Sequence, residues 1–202
     1  LANAEAARHL LERKAIDVQE LRAIIHDIVV DDRRAAHVID RLRALLKRGE
    51  TRLQPIAPAD LVRETLELAH AELITRRVTV TGVVEPGLPL VLADRVQIQQ
   101  VLLNLVLNAS ESMSGTAVAE RILVLGASSA ASNVSFSVRD FGGGIRDDLI
   151  ERLFEPFVTT KPEGLGLGLS IARSIIAAHG GRIWAENGDV SGATVQFLLP
   201  SL

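Results

Sequence analysis

The strongest constraint on this chain is a change of period at residues 49–58. Before that point the apolar residues recur only at helical spacing. After it, helical and strand-like stretches alternate. Ala2, Ala6 and Leu10 lie one helical turn apart. Leu21, Ile25, Ile28, Ala35, Ile39, Leu42 and Leu46 then step by fours, threes and one seven, a heptad seam interrupted at Asp32. Lys47 and Arg48 suit the negative end of a helix dipole, and Gly49 suits the position just past it. Two helices linked near Lys14–Ile16 read as a hairpin, and so long a seam needs a partner. A dimeric four-helix bundle is the simplest solution, and a hairpin folded onto the rest of the chain is the alternative.

Residues 49–58 (GETRLQPIAP) contain two prolines and read as a linker between residues 1–48 and 59–202. Beyond them the spacing predicts helices over 59–76, 94–113 and 168–179. Strands are predicted around 78–83, 122–125, 134–138, 181–185 and 193–199, with turn signals at 86–89, Asn187-Gly188 and Ser191-Gly192. The expected class is α+β: a two-layer sandwich of a mixed sheet with helices on one face, preceded by an α-helical hairpin.

Composition narrows the function. With 48% hydrophobic residues the chain can bury a core. A net charge of −3 gives no electrostatic footprint for nucleic acid. The absence of cysteine excludes disulfides and thiol chemistry and fits the cytoplasm. No apolar run of about 18 residues predicts a membrane segment. The chain opens at Leu1 inside a helical pattern with no cap before it, which reads as a piece of a longer protein. A membrane anchor or sensor domain upstream is compatible with that reading.

Four short segments bear chemistry. The first is the helix around Gln100–Ala109, where Asn104 and Asn108 share one face. Two amides on an otherwise apolar helix need partners, and a carboxamide oxygen is a suitable hard ligand for Mg²⁺. An interhelical hydrogen bond is the plainer alternative. The second is Asp140-Phe141-Gly142-Gly143-Gly144 after a strand, where an acid can accept from an exocyclic amine and glycines let backbone approach a flat ring. A simple glycine turn would look the same. The third is Leu153-Phe154-Glu155-Pro156-Phe157 followed by Val158–Lys161. Its two aromatics can anchor one end of a mobile loop, or form a small satellite core. The fourth is Gly164-Leu165-Gly166-Leu167-Gly168 opening a helix, a pattern that makes an anion site from backbone N–H groups. It is neither a Walker motif nor a dinucleotide fingerprint.

Taken in order, these segments resemble the N, first-glycine, F and second-glycine boxes of sensor histidine kinases. Those enzymes share the Bergerat-type ATP fold with gyrase, heat-shock chaperones and mismatch-repair ATPases. The resemblance covers about Thr51–Pro200, including Ala178–Trp184 and the ending from Gly192-Ala193-Thr194 to Pro200. It implies that ATP and Mg²⁺ are the cofactors, with Asn108 binding the metal and Asn104 supporting it. Asp140 would read the adenine amino group in a pocket shaped by Gly142 and Gly144. Val158–Leu165 would be the ATP lid, with Lys161 available to the phosphates. Gly164, Gly166 and Gly168, with Leu165 and Leu167 between them, would be its hinge and phosphate-side backbone. Glu111 and Ser112 would lie near the phosphates, and Thr194 would line the site. Hydrolytic relatives have a glutamate where this chain has Asn104, and a neutral amide cannot act as a general base. The implied reaction is therefore phosphoryl transfer to a histidine and onward to a response-regulator receiver domain, by a homodimer formed through the hairpin.

One part of the family pattern is missing. The family's phosphoacceptor histidine sits in a His-Glu-x-x-x-Pro-like box, and none of His9, His26, His37, His70 and His179 does. His26 is followed by Asp27 but not by a proline. The acceptor is expected upstream of Leu1, so no catalytic residue is assigned within the chain. Rival readings are an ATP-hydrolysing relative, a serine/threonine-directed relative, and a non-catalytic dimerisation module.

Overall fold

The computed structural model describes residues 18–26, 28, 52–161 and 164–202. The chain divides into two compact units, Leu1–Arg48 and Gly49–Leu202. In the first, residues 18–26 are helical. The rest of the expected hairpin and its seam lie outside the described residues, apart from Ile28.

The second unit runs β1 (Gln54–Ile56), α1 (Pro58–Thr75), β2 (Thr79–Val84), β3 (Val91–Ala93), α2 (Arg95–Ser112), β4 (Ile122–Ala130), β5 (Asn133–Asp140), α3 (Asp147–Ile150), α4 (Gly168–Ala178), β6 (Arg182–Asn187) and β7 (Ala193–Pro200). A five-stranded sheet has the order β2-β4-β5-β7-β6. The β2–β4 pair is parallel and the other pairs are antiparallel. This is the expected mixed sheet.

The helix ends follow from their sequences. Pro58 begins α1, where a missing N–H costs nothing. The Asp94 carboxylate caps α2 by accepting from Gln97 N at 3.1 Å. Each helix turns a stripe inward: Leu61, Val62, Thr65, Ala69 and Leu73 on α1, and Ile98, Val101, Leu102, Leu105, Val106 and Ala109 on α2. The strands answer with period two. Leu123, Leu125 and Ala127 of β4, Val134, Phe136 and Val138 of β5, and Phe197 and Leu199 of β7 are all buried. Phe136 and Phe197 pair across β5 and β7 and stack with centroids 5.0 Å apart. Burying each such side chain contributes about 1.5–3 kcal/mol.

Two expectations are corrected. The stretch read as a linker contains β1, whose Ile56 is buried and whose Gln54 and Pro55 pair with Ala93 and Leu92 of β3. Neither three-residue strand shows enough periodicity to be seen in sequence. The strand expected at 122–125 continues to Ala130 through Gly126 and two serines, poor strand formers held by eight pairs to β5.

His179 is a structural residue. It is buried; its Nδ1–H donates to Ile175 O at 2.8 Å and its Nε2 accepts from Asp94 N at 3.0 Å. Both ring nitrogens are thereby used, Nδ1 within α4 and Nε2 in tying the end of α4 to the start of α2. No helix among the described residues is long and apolar enough to cross a membrane.

Candidate functional site

The helix α2 presents Asn104, Asn108 and Glu111 on one stripe, partly exposed, while Val101, Leu102, Leu105 and Val106 are buried. Two other segments close on that stripe. From the loop after α3, Lys161 brings its ammonium to 3.1 Å from Asn108 Oδ1 and pairs with Glu111 Oε2. From the start of α4, Gly168 packs against Asn104: a β-carbon on Gly168 would lie 2.5 Å from Asn104 Oδ1. Asn104 Nδ2 is buried and, among the described residues, has no hydrogen-bond partner. An orphaned buried donor costs about 1–3 kcal/mol, and a ligand oxygen is one partner that would satisfy it.

At the other end of the stripe, α2 meets the first glycine segment. Asp140, at the end of β5, is 6% exposed. Its Oδ1 accepts from Gly142 N at 2.9 Å, and among the described residues no donor reaches Oδ2. Gly142 fits against Ser112, with room for hydrogen only: a β-carbon would stand 2.9 Å from both Ser112 O and Ser112 Oγ. The next turn is held by Asn187. Ile145 N donates to Asn187 Oδ1 at 2.7 Å, and Asn187 Nδ2 donates to Ile145 O at 2.7 Å. Gly144 lies beside this amide with φ of +76°. Asn187, visible in sequence only as part of an Asn-Gly turn signal, is thus a fastener of the Asp140 loop.

The segment between them begins at Phe154, which is buried, and Phe157, which is 75% exposed. Only the first of the two expected aromatic anchors is therefore one. Phe157 takes a positive φ of 67° and donates its N–H to Gly166 O at 3.0 Å. Gly166 has φ of +65° and lies so close to Phe157 and Val158 that any β-carbon would collide with their backbone. Gly164 packs on Thr159 and Lys161, and Leu165 is exposed. Leu167 is buried and forms the N-cap of α4 without a side-chain hydrogen bond to the first N–H groups of that helix. Residues 162 and 163 lie outside the described residues.

Thr194 is a correction. It pairs with Arg139 and Glu186, on the sheet face opposite the one that buries Val138, Phe197 and Leu199. Alternation along β7 turns its neighbour Ala193, not Thr194, to the helix side. Gly192 is the close neighbour of Asp140: a β-carbon there would overlap the Asp140 carbonyl. Sequence spacing gives no sign of Arg76, at the end of α1, whose Nη2 lies 3.3 Å from Glu111 Oε1.

Asn104, Asn108, Glu111, Asp140, Gly142, Lys161 and Gly168 therefore gather along α2, with Gly168 at the Asn104 end, Lys161 on Asn108 and Glu111, and Gly142 with Asp140 at the Ser112 end. Comparison with known proteins gives this arrangement a family. Residues 93–202 match the model of the histidine kinase-, DNA gyrase B- and HSP90-like ATPases. The sensor protein FixL of Bradyrhizobium diazoefficiens is 45% identical over 168 residues, covering 83% of this chain and 33% of FixL. The chain thus spans about a third of that relative's length. Among solved structures, the nucleotide-free catalytic domain of the histidine kinase ThkA superposes with a TM-score of 0.65 at 34% identity, covering 74% of this chain and 95% of that one. Full-length ShkA in complex with AMPPNP gives a TM-score of 0.73 at 26% identity, covering 99% of this chain and 45% of ShkA. The matched region takes in α2, the Asp140 loop, the lid glycines and the last two strands, and the chain belongs to the histidine kinase-, DNA gyrase B- and HSP90-like ATPase family, in the form found as the catalytic domain of sensor histidine kinases.

Proposed function

We propose that the cleft along α2 holds Mg–ATP and that the parent protein passes the γ-phosphoryl group to a histidine, and from it to a receiver-domain aspartate. The observation that carries this reading is the hydrogen bond between Lys161 and Asn108, which joins the lid to the amide helix. A cation already rests on the Asn108 carboxamide oxygen, so that oxygen suits a positive ligand. The buried Asn104 Nδ2 supplies a donor that a phosphate oxygen or its water would satisfy. Both features fit the Mg–triphosphate group that the family implies.

The residues divide the work by position. Asp140 Oδ1 is fixed by Gly142 N, which leaves Oδ2 to accept the adenine amino group. Asn108 would hold the metal, and Lys161 would exchange Glu111 for a phosphate oxygen. Magnesium, when bound, supplies charge neutralisation to the phosphates. Asn104 is a neutral amide with no proton-accepting role, which disfavours activation of water and leaves phosphoryl transfer by positioning. The named histidines of this chain lack the acceptor box, and none of them is proposed as the acceptor. Residues 1–48 are proposed to form the dimer and to receive the regulator. The location is proposed to be cytoplasmic, where ATP and receiver domains meet.

Calorimetric titration with a non-hydrolysable ATP analogue, with and without Mg²⁺, tests the reading. Binding that strengthens with Mg²⁺ is expected. A flat titration would remove the nucleotide site, and steady phosphate release from ATP would move the chain to the hydrolytic branch.

A further inference from the structure

Arg76 lies outside the region matched by the family model, and none of the four glycine, aromatic or amide segments includes it. It nonetheless reaches the cleft. As the C-cap of α1 it donates from Nε to Glu72 Oε1 at 2.6 Å, and from Nη2 to Glu111 Oε1 at 3.3 Å. The other oxygen of the same Glu111 carboxylate holds Lys161, which in turn reaches Asn108. Arg76 is itself anchored. Its carbonyl accepts from Arg121 Nη1 at 2.9 Å, and the same guanidinium grips Thr116 O and Ser114 O in the loop after α2. The end of α1, the end of α2 and the start of β4 are therefore fastened at one point, from which Arg76 projects to Glu111.

A free carboxylate at the phosphate end of an ATP cleft works against binding in two ways. It repels the triphosphate, and it competes with that triphosphate for Lys161. A guanidinium on one carboxylate oxygen offsets the charge and fixes the side chain's direction. We infer that Arg76 is a positioning residue for nucleotide binding: by holding Glu111 it offsets that carboxylate's charge, so that Glu111 neither opposes the phosphates as a free anion nor holds Lys161 back from them. This rests on the reading of the cleft as a nucleotide site.

The test is a double-mutant cycle on the full chain, read by calorimetry with the Mg²⁺ complex of a non-hydrolysable ATP analogue, with melting curves alongside. Arg76→Met weakens affinity about three- to ten-fold, and Arg76→Lys weakens it less, because the charge remains. With Glu111→Gln already present, Arg76→Met changes affinity by less than about two-fold, since the anion it served is gone. A melting shift common to both backgrounds is structural and cancels in the cycle. Equal losses in the two backgrounds, or no loss from Arg76→Met while wild type binds, overturn the role of Arg76. Failure of the wild type to bind overturns the nucleotide site and the inference with it.

Discussion

Gly168 and Asn104 are in contact across the cleft so closely that one residue dictates the identity of the other. A β-carbon on Gly168 would stand 2.5 Å from Asn104 Oδ1 and 3.2 Å from its side-chain carbon. The first residue of α4 is therefore seated on the amide helix, and the position of α4 is referenced to Asn104. Gly168→Ala must push either α4 or the Asn104 side chain aside. The expected loss is about 1–3 kcal/mol of stability, with weaker nucleotide binding. Asn104→Ala should restore most of the stability lost to Gly168→Ala, because it vacates the volume that the new methyl needs. Urea unfolding of the two single variants and the double variant checks this; additive losses would count against the contact.

Asp140→Asn separates fold from recognition. The asparagine keeps an oxygen for Gly142 N, so the loop geometry at 2.9 Å is retained. What changes is the second oxygen, which becomes an amide and presents a donor to the adenine amino group. Hydrogen bonds to charged groups contribute about 1.5–3 kcal/mol, so affinity for ATP analogues should fall at least about ten-fold at nearly unchanged melting temperature. Isothermal titration together with circular-dichroism melts reads both quantities.

How much of this was legible beforehand differs by element. The amide pair on α2 could be read because i, i+4 spacing fixes a shared face whatever the tertiary context. Asp140, Gly142 and the lid glycines were legible because residue type and order imply a backbone shape. Thr194 was misplaced because its motif names a strand but not which way the strand's alternation turns. Only the pairing of β7 with β5 settles that face. Phe157 was expected to anchor the loop alongside Phe154. Burial is a property of neighbours, and the sequence does not state it. Arg76, Asn187 and β3 were invisible for one reason: each acts through a partner more than 30 residues away.

The core pair gives a stability prediction independent of the ligand. Phe136 is fully buried and stacked on Phe197 at 5.0 Å, between β5 and β7 in the middle of the sheet. Phe136→Ala should cost about 3–5 kcal/mol through lost burial and the cavity it leaves. Phe136→Leu should cost clearly less. Chemical denaturation with tryptophan fluorescence from Trp184, on neighbouring β6, reports the transition directly.

Asn104 offers the sharpest separation of stability from function. Among the described residues its buried Nδ2 has no acceptor, so the amide lowers stability instead of raising it. Replacing the amide by an apolar group of nearly the same shape removes that penalty. Asn104→Leu should therefore leave the ligand-free protein as stable as wild type, or more stable by about 1 kcal/mol. The same change deletes the donor proposed to meet a phosphate oxygen or its water, so affinity for Mg–ATP analogues should drop about five-fold or more. The two effects have opposite signs, as expected where a site retains a locally unfavourable group for its ligand. A variant that melts lower than wild type and binds equally well would mean that Asn104 belongs to the packing of α2 against α4 and has no part in holding the nucleotide.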